Sequence, residues 1–129
     1  MQAHVVTIER DSPQKEISKT FLQTHFPEAI KTLHADKNIA IAQLVANSQQ
    51  FDFVFHDDGH LGDIYVRDFA ELLPLMPAGA VFVLDDINWY GHGQPQSQRT
   101  CYQGWLEIIG HQRVAAAIEV DGMGVVFLR

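Results

Sequence analysis

Phe51-Asp52-Phe53-Val54-Phe55-His56-Asp57-Asp58-Gly59-His60 and, after a helical interval, Ala80-Val81-Phe82-Val83-Leu84-Asp85-Asp86 decide the fold of this chain. Each is an apolar run of strand length that ends in acidic residues, and the second is apolar at every position. That is the pattern of a strand buried on both faces of a parallel sheet. Between them Tyr65, Val66, Phe69, Leu72 and Leu73 recur at helical spacing until Pro74 stops them. Strand, helix, strand, with the helix as the crossover, predicts a βαβ unit.

The same alternation extends to both sides. His4-Val5-Val6-Thr7-Ile8 reads as a strand, and Ser12-Pro13 as a helix start. Ile17, Phe21, Leu22 and Phe26 follow before Pro27. A second strand is expected over Ala29 to His34. Asp36 or Asn38 caps the next helix, whose apolar side is Ile39, Ile41, Leu44 and Val45. After a polar loop from Asn88 to Arg99, a helix runs from Thr100 to Ile109. Arg113 to Val120, the pair Asp121-Gly122, and Met123 to Leu128 predict a hairpin with a two-residue turn. The expected fold is α/β: a Rossmann-like three-layer α/β/α sandwich, mostly parallel, closed by a C-terminal antiparallel hairpin, in a single domain over residues 1–129.

Composition sets limits on function. Of 129 residues, 47% are hydrophobic and 19% charged, a globular balance with no apolar run long enough to span a membrane. Nine Lys+Arg against sixteen Asp+Glu give a net charge of −7, which argues against binding nucleic acid or an anionic membrane surface. Met1-Gln2-Ala3-His4 has no basic or apolar character of a signal peptide, so the expected location is cytoplasmic. Cys101 is the only cysteine, which excludes an intramolecular disulfide and a Cys-rich zinc site.

The acidic residues carry the functional reading. Glu9 and Asp11, Asp36, Asp57 and Asp58, and Asp85 and Asp86 all fall at or just beyond the C-terminal ends of successive strands. Open α/β sheets bind ligands outside those ends. The plain alternative at each position is a helix cap or a turn former. A carboxylate at Glu9 suits bidentate acceptance from two ribose hydroxyls. Asp57, Asp85 and Asp86, if they converge, suit a hard divalent cation such as magnesium, manganese or calcium. His60 is a candidate general base or outer metal partner, and His56 is expected to do no more than end its strand.

Together these segments resemble the class I S-adenosylmethionine-dependent methyltransferases. The resemblance rests on His4 to Asp11, Phe51 to His60, Arg67-Asp68 through Pro77-Ala78-Gly79-Ala80 into Val81 to Asp86, and the closing Asp121-Gly122-Met123-Gly124-Val125-Val126-Phe127. Within that superfamily the metal-dependent O-methyltransferases look most similar. The resemblance implies that Glu9 binds the cofactor ribose, Asp36 its adenine amine, and that Asp57 also faces the cofactor. It implies metal ligands at Asp57, Asp85 and Asp86, with the metal holding the hydroxyl of a small-molecule acceptor. Catalytic roles fall to Asp57 and His60. Relatives often carry their second acid two places after the first, whereas Asp58 adjoins Asp57, which favours His60 as the base.

The family's first strand, its covering helix and its Gly-rich loop precede the segment that ends at Glu9, and no Glu/Asp-x-Gly-x-Gly stretch occurs in the chain. Three arrangements would meet this: direct pairing of the flanking strands, cover from a second copy in a homodimer or larger homo-oligomer, or membership in a longer enzyme. Trp89, Tyr90, His92 and Trp105 are candidate walls for the acceptor, against ordinary packing as the alternative. The competing function is a catalytically inactive remnant serving binding or assembly. A metal-dependent phosphohydrolase ranks last, since the chain lacks an Asp-x-Asp pair.

Overall fold

In the computed structural model, residues 4–9, 13–25, 30–89 and 99–129 are described. They form two compact units, Met1–Asn47 and Ser48–Arg129. The expectations for Phe26, Ala29, Ser12, Asp11, Tyr90 and His92 lie outside the described residues.

In the first unit, β1 (Val5–Glu9), α1 (Pro13–His25), β2 (Ile30–His34) and α2 (Lys37–Ala46) follow in order. β1 and β2 are parallel, in register from Val5 opposite Ile30 to Glu9 opposite His34. α2 begins at Asp36, whose side chain accepts from the Asn38 backbone N–H at 2.9 Å. This satisfies one of the donors a helix start leaves open. Of the four apolar positions expected on the inner side of α2, Ile41 and Leu44 are buried together with Ala40, while Ile39 and Val45 are exposed. Ala40, Ile41 and Leu44 follow a 3.6-residue period, and Ile39 and Val45 fall off it.

Asp36→Ala is expected to lower stability by about 1 kcal/mol through loss of the cap. Asp36→Ser, which keeps a short acceptor, should recover most of it. Urea unfolding of the three proteins checks this.

The second unit holds β3 (Phe53–His56), α3 (Gly62–Leu72), a 3₁₀ turn (Leu73–Leu75), β4 (Val81–Leu84), α4 (Cys101–Ile109), β5 (Val114–Val120) and β6 (Met123–Leu128). Its sheet has the order β3-β4-β6-β5. β3 and β4 are parallel, as a helical crossover requires, and β4–β6 and β5–β6 are antiparallel. The hairpin turns at Asp121 and Gly122, both at positive φ (48° and 83°), the backbone of a type I′ turn. Pro74 sits within the 3₁₀ turn that ends the α3 segment.

Alternation sorts the sheet into two faces. Phe82 and Leu84 of β4 and Val126 and Leu128 of β6 are buried, and Tyr65, Phe69 and Leu72 of α3 and Trp105 and Ile108 of α4 complete the core. The rings of Phe69 and Phe82 meet edge to face at 5.3 Å. β4 is apolar and almost wholly buried along its length, as its composition predicts. On the other face of the sheet Phe53, Phe55, Ile118 and Phe127 are exposed.

Two glycines bring α3 and α4 together. A Cβ on Gly104 would stand 2.6 Å from the Gly62 Cα and carbonyl oxygen, and one on Gly62 would run into the Thr100 carbonyl oxygen. A Cβ on Gly124 would meet the Trp105 ring at 2.7 Å, so the indole packs against β6 at its one residue without a side chain. Thr100 and Gln103 form a complete capping box at the start of α4.

Candidate functional site

The parallel pairing of β3 and β4 brings their C-terminal ends level. The ladder continues one residue past the strands, with the Asp85 N–H donating to the His56 carbonyl at 3.0 Å. Asp57 and Asp58 follow β3, and Asp85 and Asp86 follow β4, so the two acidic pairs leave the sheet side by side. Asp57 and Asp58 are exposed, whereas Asp85 and Asp86 are half-buried.

Asp86 has φ +53°. Aspartate tolerates this left-handed conformation better than most residues do. The Ile87 N–H donates to the Gly122 carbonyl at 2.8 Å and the Trp89 N–H to the Asp86 carbonyl at 2.9 Å, which closes a turn over Asp86–Trp89. In this turn the Asp86 carboxylate meets His60 Nε2 at 3.0 Å, and the Trp89 ring lies 4.5 Å from the imidazole. His60 and Asp86, half-buried, and the exposed Trp89 therefore form one cluster at the mouth of the sheet.

A second polar layer lies beneath. The His56 side chain, on the helix-packed face, meets the fully buried Asp68 carboxylate through Nε2 at 2.8 Å. The other Asp68 oxygen accepts from Arg67 Nε and a terminal nitrogen, at 3.0 and 2.9 Å. That hydrogen bond pushes the Arg67 guanidinium pKa up. The Tyr65 hydroxyl donates to the Asp85 carbonyl at 2.6 Å, and burial raises its pKa so that it stays a donor. Burial likewise pushes up the thiol of Cys101, which is wholly enclosed.

The residues expected to act are thus distributed as follows. Asp57, His60, Asp85 and Asp86 share the carboxyl ends of β3 and β4. Glu9 ends β1, and Asp36 follows β2 at the same end of the two-stranded parallel sheet. Asp36 serves as a helix cap, but a carboxylate has about four acceptor sites and the cap occupies one. It keeps capacity for an amine donor such as an adenine.

Asp57, Asp85 and Asp86 do not fit a shared cation. Among the described residues no three His, Cys, Asp or Glu side chains are grouped so as to hold a metal ion. The Asp86 carboxylate is turned toward His60 instead. Trp105 is not an acceptor wall: it is buried, and its Nε1 donates to Glu119 at 2.7 Å. Trp89 is exposed and stands beside His60.

Tyr65 and Asp68 escaped the sequence reading as functional residues, and His56 was expected only to end β3. The available signal was Asp68 itself, a charged residue inside the apolar stripe Tyr65-Phe69-Leu72 and three residues after Tyr65, a spacing that puts both on one helix face.

Comparison with known proteins agrees with the fold. The sequence profile of a family described as "Methyltransferase domain" matches residues 1–87. A curated Arabidopsis thaliana protein, named as a putative caffeoyl-CoA O-methyltransferase, is 24% identical over 94% of this chain and 54% of its own length. The O-methyltransferase from Bacillus cereus, solved with S-adenosylhomocysteine, superposes with a TM-score of 0.72 at 18% identity. That superposition covers 96% of this chain and 62% of that one. MycE, a methyltransferase from the mycinamycin biosynthetic pathway solved with magnesium, S-adenosylhomocysteine and mycinamycin VI, gives 0.65 at 18% identity, over 99% and 45%. The chain therefore spans about half the length of the curated relative and under two thirds of the solved ones. No described helix is long and apolar enough to cross a membrane.

Proposed function

The chain belongs to the methyltransferase-domain family, and from that membership we propose that it carries out part of an S-adenosylmethionine-dependent methyl transfer to the hydroxyl of a small molecule. The observation that carries this reading is the family match over residues 1–87, a span that includes the carboxyl ends of β1, β2, β3 and β4. When bound, the cofactor supplies an electrophilic methyl group on its sulfonium.

The roles of this chain's residues follow from what their side chains can do. Glu9 accepts from the ribose hydroxyls and Asp36 from the adenine amine. Asp57 faces the cofactor from the end of β3. His60, held by Asp86, would take the acceptor's hydroxyl proton while the oxygen displaces the neutral thioether, S-adenosylhomocysteine, from the methyl carbon, and Trp89 would offer a flat apolar surface to the acceptor. Positioning the oxygen in line with the methyl carbon is the larger part of such catalysis. A homodimer or larger homo-oligomer of this chain is part of the proposal. No step is routed through a metal, because the carboxylates do not gather around one; magnesium accompanies the cofactor product in MycE.

Thermal unfolding of the chain with and without S-adenosylhomocysteine, in magnesium and in EDTA, tests the proposal. Ligand at about 100 times its Kd adds about 2.7 kcal/mol, a rise of several degrees in Tm for a domain this size. The expected rise is the same in both buffers. A rise confined to magnesium would restore the cation to the site. No rise at millimolar ligand would refute cofactor binding by this chain.

A further inference from the structure

We infer that Tyr65 and Asp68 are positioning residues, which hold the ends of β3 and β4 from beneath and thereby set where Asp57 and the Asp85–Asp86 pair stand. The inference rests on the proposed function for its ligand and on the geometry for its mechanism.

Both residues project from one face of α3, three positions apart, and both are buried. Each grips a different strand. Asp68 takes the imidazole of His56, the last residue of β3, immediately before Asp57. Tyr65 takes the backbone carbonyl of Asp85, the first residue beyond β4. The Tyr65 and His56 rings meet edge to face at 5.2 Å, so the two grips are packed against each other. The His56 carbonyl and Asp85 N–H close the ring of contacts from the sheet side.

Stability alone does not account for this arrangement. A buried ionic pair is often no more stabilising than apolar residues of the same volume. Here it also leaves His56 Nδ1 enclosed with no hydrogen-bond partner. With Asp68 as acceptor, the ring nitrogen it meets carries the proton. Leucine at positions 56 and 68 would avoid that cost. What apolar residues cannot supply is direction: a 2.8 Å and a 2.6 Å hydrogen bond fix the two strand ends relative to one rigid helix.

Three variants of the full chain test the inference: Tyr65→Phe, Asp68→Ala and Asp68→Asn. S-adenosylhomocysteine affinity is measured by calorimetry at a temperature where each is folded by circular dichroism, together with amide hydrogen exchange at residues 57–60 and 85–89. Orienting partners behind metal-ligating groups matter by about 10–100-fold when removed, and partners behind groups that face an organic cofactor are expected at the low end of that range. Tyr65→Phe and Asp68→Ala are therefore expected to raise Kd by about tenfold and to speed exchange at both strand ends. Asp68→Asn keeps an acceptor for the imidazole N–H and should return Kd to within about threefold of the parent. If Asp68→Ala fails to fold, Tyr65→Phe, which loses one hydroxyl, carries the test. Unchanged affinity and unchanged exchange in Tyr65→Phe overturn the inference, whatever happens to Tm. If the parent chain binds no S-adenosylhomocysteine, the proposed function fails, and the exchange rates decide the positioning role by themselves.

Discussion

Gly104→Ala is expected to destabilise the chain by about 2 kcal/mol or more, with a fall in Tm of about 10 °C. Alanine is the better helix former by about 1 kcal/mol, so on propensity alone the substitution would stabilise α4. The contact reverses the sign. The new methyl group would lie 2.6 Å from the Gly62 Cα and carbonyl oxygen, and these are backbone atoms of a helix that cannot swing aside as a side chain would. Relief requires α3 and α4 to separate along their whole crossing, which opens the packing of Tyr65 and Trp105 beneath. Gly62→Ala should behave alike, and the double variant should cost less than the sum, because the first methyl already parts the helices. Thermal and urea unfolding of the three proteins measure this. A Tm within about 2 °C of the parent would mean that the helices slide past one another freely.

Glu9→Ala carries the largest expected effect on ligand binding. A carboxylate that accepts from both ribose hydroxyls makes two hydrogen bonds to a charged acceptor, and its loss costs about 3 kcal/mol. In affinity this is about 100-fold. Glu9→Gln keeps one acceptor oxygen without the charge and should fall between the two. Calorimetric Kd values for S-adenosylhomocysteine across the three proteins check the series, and an unchanged Kd in Glu9→Ala would remove the residue from the site.

The elements of the fold were legible in the sequence because their signals are local. Apolar runs, Pro13, Pro74 and Asp121-Gly122 mark strands, helix boundaries and the turn within a few residues of where they lie. The acidic pairs after β3 and β4 were legible for the same reason, since strand ends locate themselves. Three-dimensional choices were not. Nothing local says that Asp86 adopts a left-handed backbone and turns to His60 rather than toward Asp57 and Asp85. The expected cation site depended on that direction. Trp105 has the composition of a ligand wall, and only the bare backbone of Gly124, on another element, shows that the indole is core. His56 and Asp68 are twelve residues apart on different elements, and their pairing follows from the packing of α3 against the sheet.

The inner polar layer separates two properties of the acidic edge. Where Asp57 and Asp85 stand is set by α3, through groups that never face solvent. What they would bind, on the proposed function, is set by the carboxylates themselves. Variants of the first kind move both strand ends together, whereas variants such as Glu9→Ala remove one contact and leave the frame in place.

The most direct test of the account is isothermal titration of S-adenosylhomocysteine into this 129-residue chain. Saturable binding at one site per chain, weakened by Glu9→Ala and insensitive to EDTA, is the predicted result. No heat of binding at millimolar ligand, with the chain folded by circular dichroism, would contradict it.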